Sequence, residues 1–357
     1  MDSNLRHGRL LINKAFPHDL KAIFSPQHGL FAQKQDNMKE SPDLVDPLLK
    51  IPVFSLYGES RKPSNQQLSL IDLLVVDLQD CGTRVYTYVW TLYLAMKECA
   101  KSGVAVAILD RPNPIGGEEV EGNVVDSGLF SFVGLAPLPM RHGMTMGELA
   151  LFLAKWARLD LELYVVKMQG WRRSMYFEET GLPWVLPSPN MPRIETAVVY
   201  PGQVILEGTN LSEGRGTTLP FEIFGAPYID ASRIEKEIST IDGVTLRYQS
   251  FEPTFNKWHG HNCHGFQLHV TDRYKFKPYR FTLNLLSTLK KCHPEDFSWT
   301  PPPYEYDFFN LPADLIIGNK NIRKMVEYGA EKQEFDMHFK NDEKDFCNKR
   351  KEFLLYQ

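Results

Sequence analysis

The sequence predicts a doubly wound α/β domain followed by a smaller α+β domain. Short apolar runs alternate with helical patterns through the first half, the texture changes after a proline-rich breaker near residue 187, and 357 residues suit two cores. In chain order, 20–24, 72–77, 104–109 and 162–166 read as strands. Their unbroken Val/Ile/Leu content fits strands covered on both faces, as in a parallel sheet. Between them, 85–101 carries Val85, Val89, Leu92, Met96 and Cys99 close to helical spacing, and Gly103 stops it. A second helix over 146–158 opens on the capping box Thr145-x-x-Glu148. Beyond Pro187-Ser-Pro-Asn-Met-Pro192, residues 196–206 and 266–271 read as strands. Residues 281–291 and 320–330 read as helices, and the chain closes on a charged tail.

Composition removes several function classes. Forty basic residues against 44 acidic ones leave a net charge of −4, so no cationic excess exists to neutralise phosphates and nucleic acid is not expected as a partner. No apolar run reaches the roughly 18 residues a membrane span needs. The start, Met1-Asp-Ser-Asn-Leu-Arg, has no apolar core of a secretory signal, and the five cysteines are dispersed without a Cys-x-x-Cys pair. A cytoplasmic location with reduced thiols is the expectation.

Polar residues cluster where the predicted strands end. The first run ends in Phe24-Ser-Pro-Gln-His-Gly29, the second in Asp77-Leu-Gln-Asp-Cys-Gly-Thr-Arg84, and the third in Asp110-Arg-Pro-Asn-Pro114. In open α/β sheets ligands bind outside the carboxyl ends of the strands, so Gln27, His28, Asp80, Arg84, Asp110, Arg111 and Asn113 are candidates for one site. The plainer alternative is that Asp and Asn open turns and Arg–Asp pairs tie loops together. The run Leu206-Glu-Gly-Thr-Asn-Leu-Ser-Glu-Gly-Arg-Gly-Thr-Thr218 is rich in glycine, hydroxyls and charge, either as a solvated loop or as backbone close to a ligand. Neither a dinucleotide fingerprint nor a Walker motif occurs, and Gly-x-Ser-x-Gly and His-Glu-x-x-His are absent too. Trp258-His-Gly-His-Asn-Cys-His264 offers zinc-type ligands at non-standard spacing, so it reads as structural, with no metal. Trp171, Tyr176, Phe177 and Trp184 could stack on sugar faces or plug a core.

These motifs resemble the exo-β-N-acetylmuramidases of the NamZ family. The resemblance rests on FSPQHG (24–29), VFSLYG (53–58), DLQDCGTRVYTY (77–88), LDRPNP (109–114), VEGNVVD (120–126) and MRHGMTMGELA (140–150). It continues through PSPNMP (187–192), EGTNLSEGRGT (207–217), PFEIFGAP (220–227) and HVTD (269–272). It implies a Rossmann-like catalytic domain over 1–195 and a smaller domain over 196–357, with 206–227 returning to the cleft between them. It further implies release of terminal β-linked N-acetylmuramic acid from the non-reducing end of peptidoglycan fragments, without a cofactor. The partner is then a muramic-acid-containing glycan or muropeptide. Glycoside hydrolysis usually needs two carboxyls.

The family motif after the first strand more often carries glutamate where this chain has Gln27, and a glutamine cannot exchange a proton at working pH. Asp80, Asp110, Glu121, Glu207 and Glu40 remain, with Glu207 and Asp80 favoured and Gln27, His28 and Glu121 beside them. Arg84, Asp110, Arg111, Asn113, His142, Asn190, Glu213, Arg215 and Thr217 are the expected substrate-binding set, with Arg84, Arg111 and Arg215 facing the lactyl carboxylate or the catalytic carboxyls. The family also carries a hydrophobic strand ahead of Asn4-Leu-Arg-His7, which this sequence is expected to lack. Gln27 and the short start leave a non-catalytic glycan-binding relative as the alternative reading.

Overall fold

The computed structural model describes residues 1–35, 38–238 and 242–357. Its first half runs α1 (Gly8–Ala15), β1 (Ile23–Ser25), β2 (Leu44–Val45), β3 (Pro52–Ser55), α2 (Asn65–Leu68) and β4 (Leu73–Val76). Then follow α3 (Tyr88–Ser102), β5 (Ala105–Leu109), β6 (Glu121–Val124), β7 (Pro139–Arg141), α4 (Met146–Trp156) and β8 (Leu163–Val166). Strands β4, β5 and β8 pair in parallel in that order, with α3 and α4 as the helices of the crossovers. Both helices end as their sequences dictate. Gly103 takes the left-handed backbone (φ 67°) that stops α3, and Thr145 and Glu148 form the reciprocal cap of α4. The expected first strand is β1, but it belongs to a separate sheet ordered β1-β3-β2.

The parallel sheet departs from expectation on one face. Val76, Val106 and Ile108 are buried under α3 and α4, whereas Leu73 and Val75 are 44% and 37% exposed and Tyr164 and Val166 are 52% and 55% exposed. Leu73 lies beside Ala105, Val75 beside Ala107, and Ala107 beside Tyr164, so these residues share one side. The apolar runs that suggested burial on both faces are therefore covered on one.

The second half contains α5 (Ile194–Gln203), β9 (Ile223–Ala226), α6 (Ala231–Glu237), β10 (Val244–Phe251), β11 (Cys263–Val270) and α7 (Pro278–Cys292). It closes with α8 (Pro312–Ile317), α9 (Lys320–Glu327) and α10 (Lys332–Arg350). Strands β10, β11 and β9 make an antiparallel sheet. Two expectations are corrected. Residues 196–206 are helix α5 and a following 3-10 turn, not a strand. Packing overrides the β-branched composition: Gly202 lies against the start of α7 so closely that a Cβ there would meet the Pro278 carbonyl at 2.0 Å. The charged tail is instead a 19-residue helix, α10, which buries Phe335, Phe339, Phe346 and Arg350. Its apolar side packs on β6 and α7.

Buried apolar residues form one cluster from Tyr57 to Phe346, so both halves of the chain share it. Arg84 ties them covalently distant as they are. Fully buried, it donates from Nη1 to the Asn123 and Leu138 carbonyls at 3.2 Å each, and from Nη2 to those of Ile316 and Ile317 at 2.5 and 3.0 Å. Burial lowers its pKa to about 10, still well above neutrality. Replacing Arg84 by Met removes these charged donors and leaves buried carbonyls unpaired. Thermal or urea unfolding should show a loss of roughly 3 kcal/mol or more.

Candidate active site

Two cavities invite comparison. The larger, about 610 Å³, lies beyond the carboxyl ends of β4, β5 and β8 and is lined by Asp77, Asp110, Arg111, Trp171 and the start of the chain. Its carboxylates are engaged in holding structure. Asp77 pairs with Arg111, while Asp110 accepts from the Thr145 hydroxyl (2.7 Å), the Gly147 amide (2.8 Å) and the Tyr356 hydroxyl (2.6 Å). The smaller cavity lies where the two halves meet. It is lined by Gln27, His28, Tyr86, Thr87, Ser188, Asn190, Tyr200, Glu207, Arg215, Phe221, Tyr304 and Glu305. Its enclosed space is about 30 Å³, room for a water molecule or two.

The chemistry is concentrated in this smaller pocket. Glu207 sits in the turn after α5, where Arg215 Nη2 donates to its Oε1 at 2.6 Å and the Tyr304 hydroxyl donates to its Oε2 at 2.7 Å. Burial alone would raise the Glu207 carboxyl, but the Arg215 charge and these hydrogen bonds outweigh it and hold it below the usual range. Arg215 Nε lies 3.2 Å from Glu213, whose other oxygen is 3.0 Å from Lys257 Nζ. Glu305, nearly fully buried, has the opposite environment. Burial raises its pKa to about 7, with the Glu207 charge adding to the rise and the hydrogen bond from the Tyr57 hydroxyl (2.9 Å) opposing it. Gln27 accepts from the Thr87 hydroxyl at Oε1 (2.6 Å), and its side chain also hydrogen-bonds Glu305. His28 is lowered to about 4 by burial and is neutral at pH 7, with Nδ1 2.6 Å from the Lys34 carbonyl.

Backbone strain collects around the same pocket. His28 (φ 74°), Phe221 (φ 62°), Glu305 (φ 45°) and Tyr306 (φ 67°) all occupy left-handed conformations that cost side-chain-bearing residues roughly 1–3 kcal/mol each. Such residues are held there by the surrounding fold, and they cluster at functional sites.

Of the residues singled out from sequence, the structure brings Gln27, His28, Asn190, Glu207 and Arg215 to one pocket, with Glu213 directly behind Arg215. The others lie elsewhere. Asp80 accepts from the Gly82 amide (2.7 Å) and lies 3.4 Å from His142 Nε2, inside the turn after β4. Glu121 is raised by burial, but it accepts from the Arg280 amide at the start of α7, outside the pocket. Asn113 bonds the Met144 carbonyl, Thr217 bonds the Gly214 carbonyl, and Arg111 and Asp110 line the larger cavity. Arg84 is consumed by four carbonyls, so neither it nor Arg111 faces these carboxyls. Glu40 accepts from the Tyr306 hydroxyl at 2.9 Å on the surface. The glycines of 206–218 serve packing: a Cβ on Gly214 would lie 2.7 Å from the Leu219 carbonyl, and one on Gly216 2.6 Å from that of Phe255.

Among the aromatic residues, Trp171 meets Tyr356 edge-on and Phe177 meets Trp184 edge-on, away from the smaller pocket. His259 and His261 are exposed, and among the described residues no three His, Cys, Asp or Glu side chains are placed to hold a metal ion. Sequence reasoning missed Glu305 and Tyr304. Their signal was a carboxylate between two tyrosines directly after Pro301-Pro302-Pro303.

Comparison with known proteins decides the family. Residues 1–195 match the model of the N-terminal part of exo-β-N-acetylmuramidase NamZ, and residues 198–356 match that of its C-terminal part. The chain belongs to the NamZ family. It is 42% identical over 340 residues to the peptidoglycan β-N-acetylmuramidase NamZ of Bacillus subtilis strain 168, covering 94% of this chain and 80% of that protein. Two crystal structures of DUF1343 family proteins from Bacteroides fragilis NCTC 9343 share the fold. One is 32% identical with a TM-score of 0.88, covering 100% of this chain and 91% of the other. The second is 30% identical with a TM-score of 0.73, covering 98% and 88%.

The Arg215–Glu207 pair carries a prediction. Arg215→Met leaves a buried carboxylate without its cation, which typically costs about 3–5 kcal/mol. Because the folded protein depresses the Glu207 pKa, the pair stabilises above the usual carboxylate range and loses that contribution as pH falls. The variant should therefore unfold at lower temperature, with the difference shrinking towards acid pH in calorimetry.

Proposed function

We propose that the protein is a glycoside hydrolase that removes terminal β-linked N-acetylmuramic acid from the non-reducing end of peptidoglycan fragments. The observation that carries this reading is the match to both parts of the NamZ family, with 42% identity to a peptidoglycan β-N-acetylmuramidase. The pocket supports it with two buried carboxyls in contrasting environments, which glycoside hydrolysis employs as acid and as base or nucleophile. Gln27 had suggested a non-catalytic binder, yet the pocket keeps two carboxyls without it.

The division into a catalytic domain over 1–195 and a smaller domain over 196–357 is supported by how the pocket is assembled. Gln27, His28 and Thr87 come from the first, and Glu207, Arg215, Phe221 and Glu305 from the second, with 206–227 reaching back to the junction. Among the described residues no helix is long and apolar enough to cross a membrane.

Purified protein should release free N-acetylmuramic acid from a β-linked muramyl disaccharide and from a nitrophenyl muramide, followed by chromatography. Intact glycan strands should lose sugars from one end without falling to mid-length fragments. Binding of the muramide without turnover, or random internal cleavage, would overturn the reading.

A further inference from the structure

The geometry points to Glu305 as the proton donor to the leaving glycosidic oxygen, with Gln27 and Tyr57 as the residues that position its carboxyl. This rests on the glycosidase reading above. Glu305 and Glu207 line the same pocket, and Tyr304 joins the two, because its hydroxyl bonds Glu207 while its neighbour in the chain supplies the acid. Thr87 fixes the Gln27 amide by donating to its oxygen, which leaves the amide nitrogen as the group that can donate to Glu305. The Tyr57 hydroxyl donates to Glu305 Oε2. A carboxyl gripped by two neutral donors keeps a fixed orientation, which proton transfer in a transition state requires.

The division of labour follows from what surrounds each carboxyl. Arg215 is committed to Glu207, so Glu207 stays ionised. Around Glu305 stand Tyr57, Gln27 and Glu207, with the Arg61 guanidinium as the nearby cation acting on it and Tyr304 and Tyr306 on either side in sequence. Arg61 is itself stacked on Tyr306, 3.5 Å from the ring centroid, and over Tyr57 and Phe132. Among the described residues no ion pair joins it to Glu305, and its buried Nε and Nη2 make no hydrogen bond, in contrast to the Arg215–Glu207 pair. The left-handed backbone at Glu305 and Tyr306 turns this strained segment into the pocket.

In the proposed step the bond between the anomeric carbon and the glycosidic oxygen breaks as the Glu305 proton passes to that oxygen. The leaving sugar departs as an alcohol. Water then forms the new bond to the anomeric carbon, and the proton it loses restores the Glu305 carboxyl, so bonds and protons balance over the cycle.

The test compares two leaving groups, a muramyl disaccharide and a dinitrophenyl muramide that departs without protonation. Glu305→Gln should lower kcat on the disaccharide by about 10²–10⁴-fold, and far less on the dinitrophenyl substrate. An equal loss on both substrates, or no loss on either, overturns the assignment. The unmodified protein gives a second measurement that needs no variant to fold. Its activity on the disaccharide should fall above an apparent pKa near 7, and this limb should weaken on the activated substrate. A limb of the same size on both contradicts it. Gln27→Glu places another carboxyl against Glu305 and should lower disaccharide turnover, whereas a gain of 10²-fold or more, at about the size general acid catalysis supplies, would identify position 27 as the better donor. If the unmodified protein cleaves neither substrate, the glycosidase reading fails. If it cleaves both and Glu305→Gln is without effect, only the role of Glu305 fails.

Discussion

The buried pair of Arg215 and Glu207 is the contact around which the pocket is organised. Taking both charges out of water is costly, and their attraction offsets that cost only with good geometry and further partners. The structure supplies them: Tyr304 on the second oxygen of Glu207, Glu213 on Arg215, and Lys257 on Glu213. Lys257 also donates to the Leu206 and Leu211 carbonyls, which ties the charge group to the backbone on either side of Glu207. Two cations and two anions thus alternate through this network of contacts. Gly214 and Gly216, both in left-handed conformations (φ 79° and 81°), allow the close backbone approach that brings Arg215 inward.

That arrangement adds to what burial does to the second carboxyl. Burial opposes ionisation of Glu305 most strongly, and the field of Glu207, fixed as an anion, acts in the same direction. Tyr57 and Gln27 satisfy Glu305 without adding positive charge. A single pocket then holds one carboxyl kept below the usual range and one raised to about 7, the division that lets two chemically identical groups play different parts in hydrolysis. His28 is kept out of this proton economy by burial, which leaves it neutral and bonded to the Lys34 carbonyl.

The crossover unit β4-α3-β5-α4-β8 was legible because its signals are local: apolar runs, Gly103, and the cap of Thr145 and Glu148. Helix α5 was not, since its conformation depends on the contact of Gly202 with α7, more than 70 residues away. In α10 the stripe of Phe335, Phe339 and Phe346 was masked by the surrounding charge. For the site, Gln27 and His28 were found from the polar cluster ending the first strand, Glu207 and Arg215 from the glycine-rich run 206–218, and Asn190 from the family motif PSPNMP. Arg84, Asp80 and Glu121 stood in equally polar motifs, and only three-dimensional packing shows that they serve the interior. Glu305 escaped because a proline cluster reads as a break in structure, and its partners Tyr57 and Gln27 lie some 250 residues or more earlier in the chain.

The opposed protonation of Glu207 and Glu305 is the central claim, and it can be read directly from their carboxyl carbons. With glutamate labelled at the side-chain carboxyl by carbon-13, and the two signals assigned by loss in the corresponding Gln variants, an NMR titration follows each group separately. The account predicts that Glu207 titrates below the usual carboxylate range and that Glu305 titrates near 7. Two ordinary carboxylate titrations, or the reverse order, would contradict it.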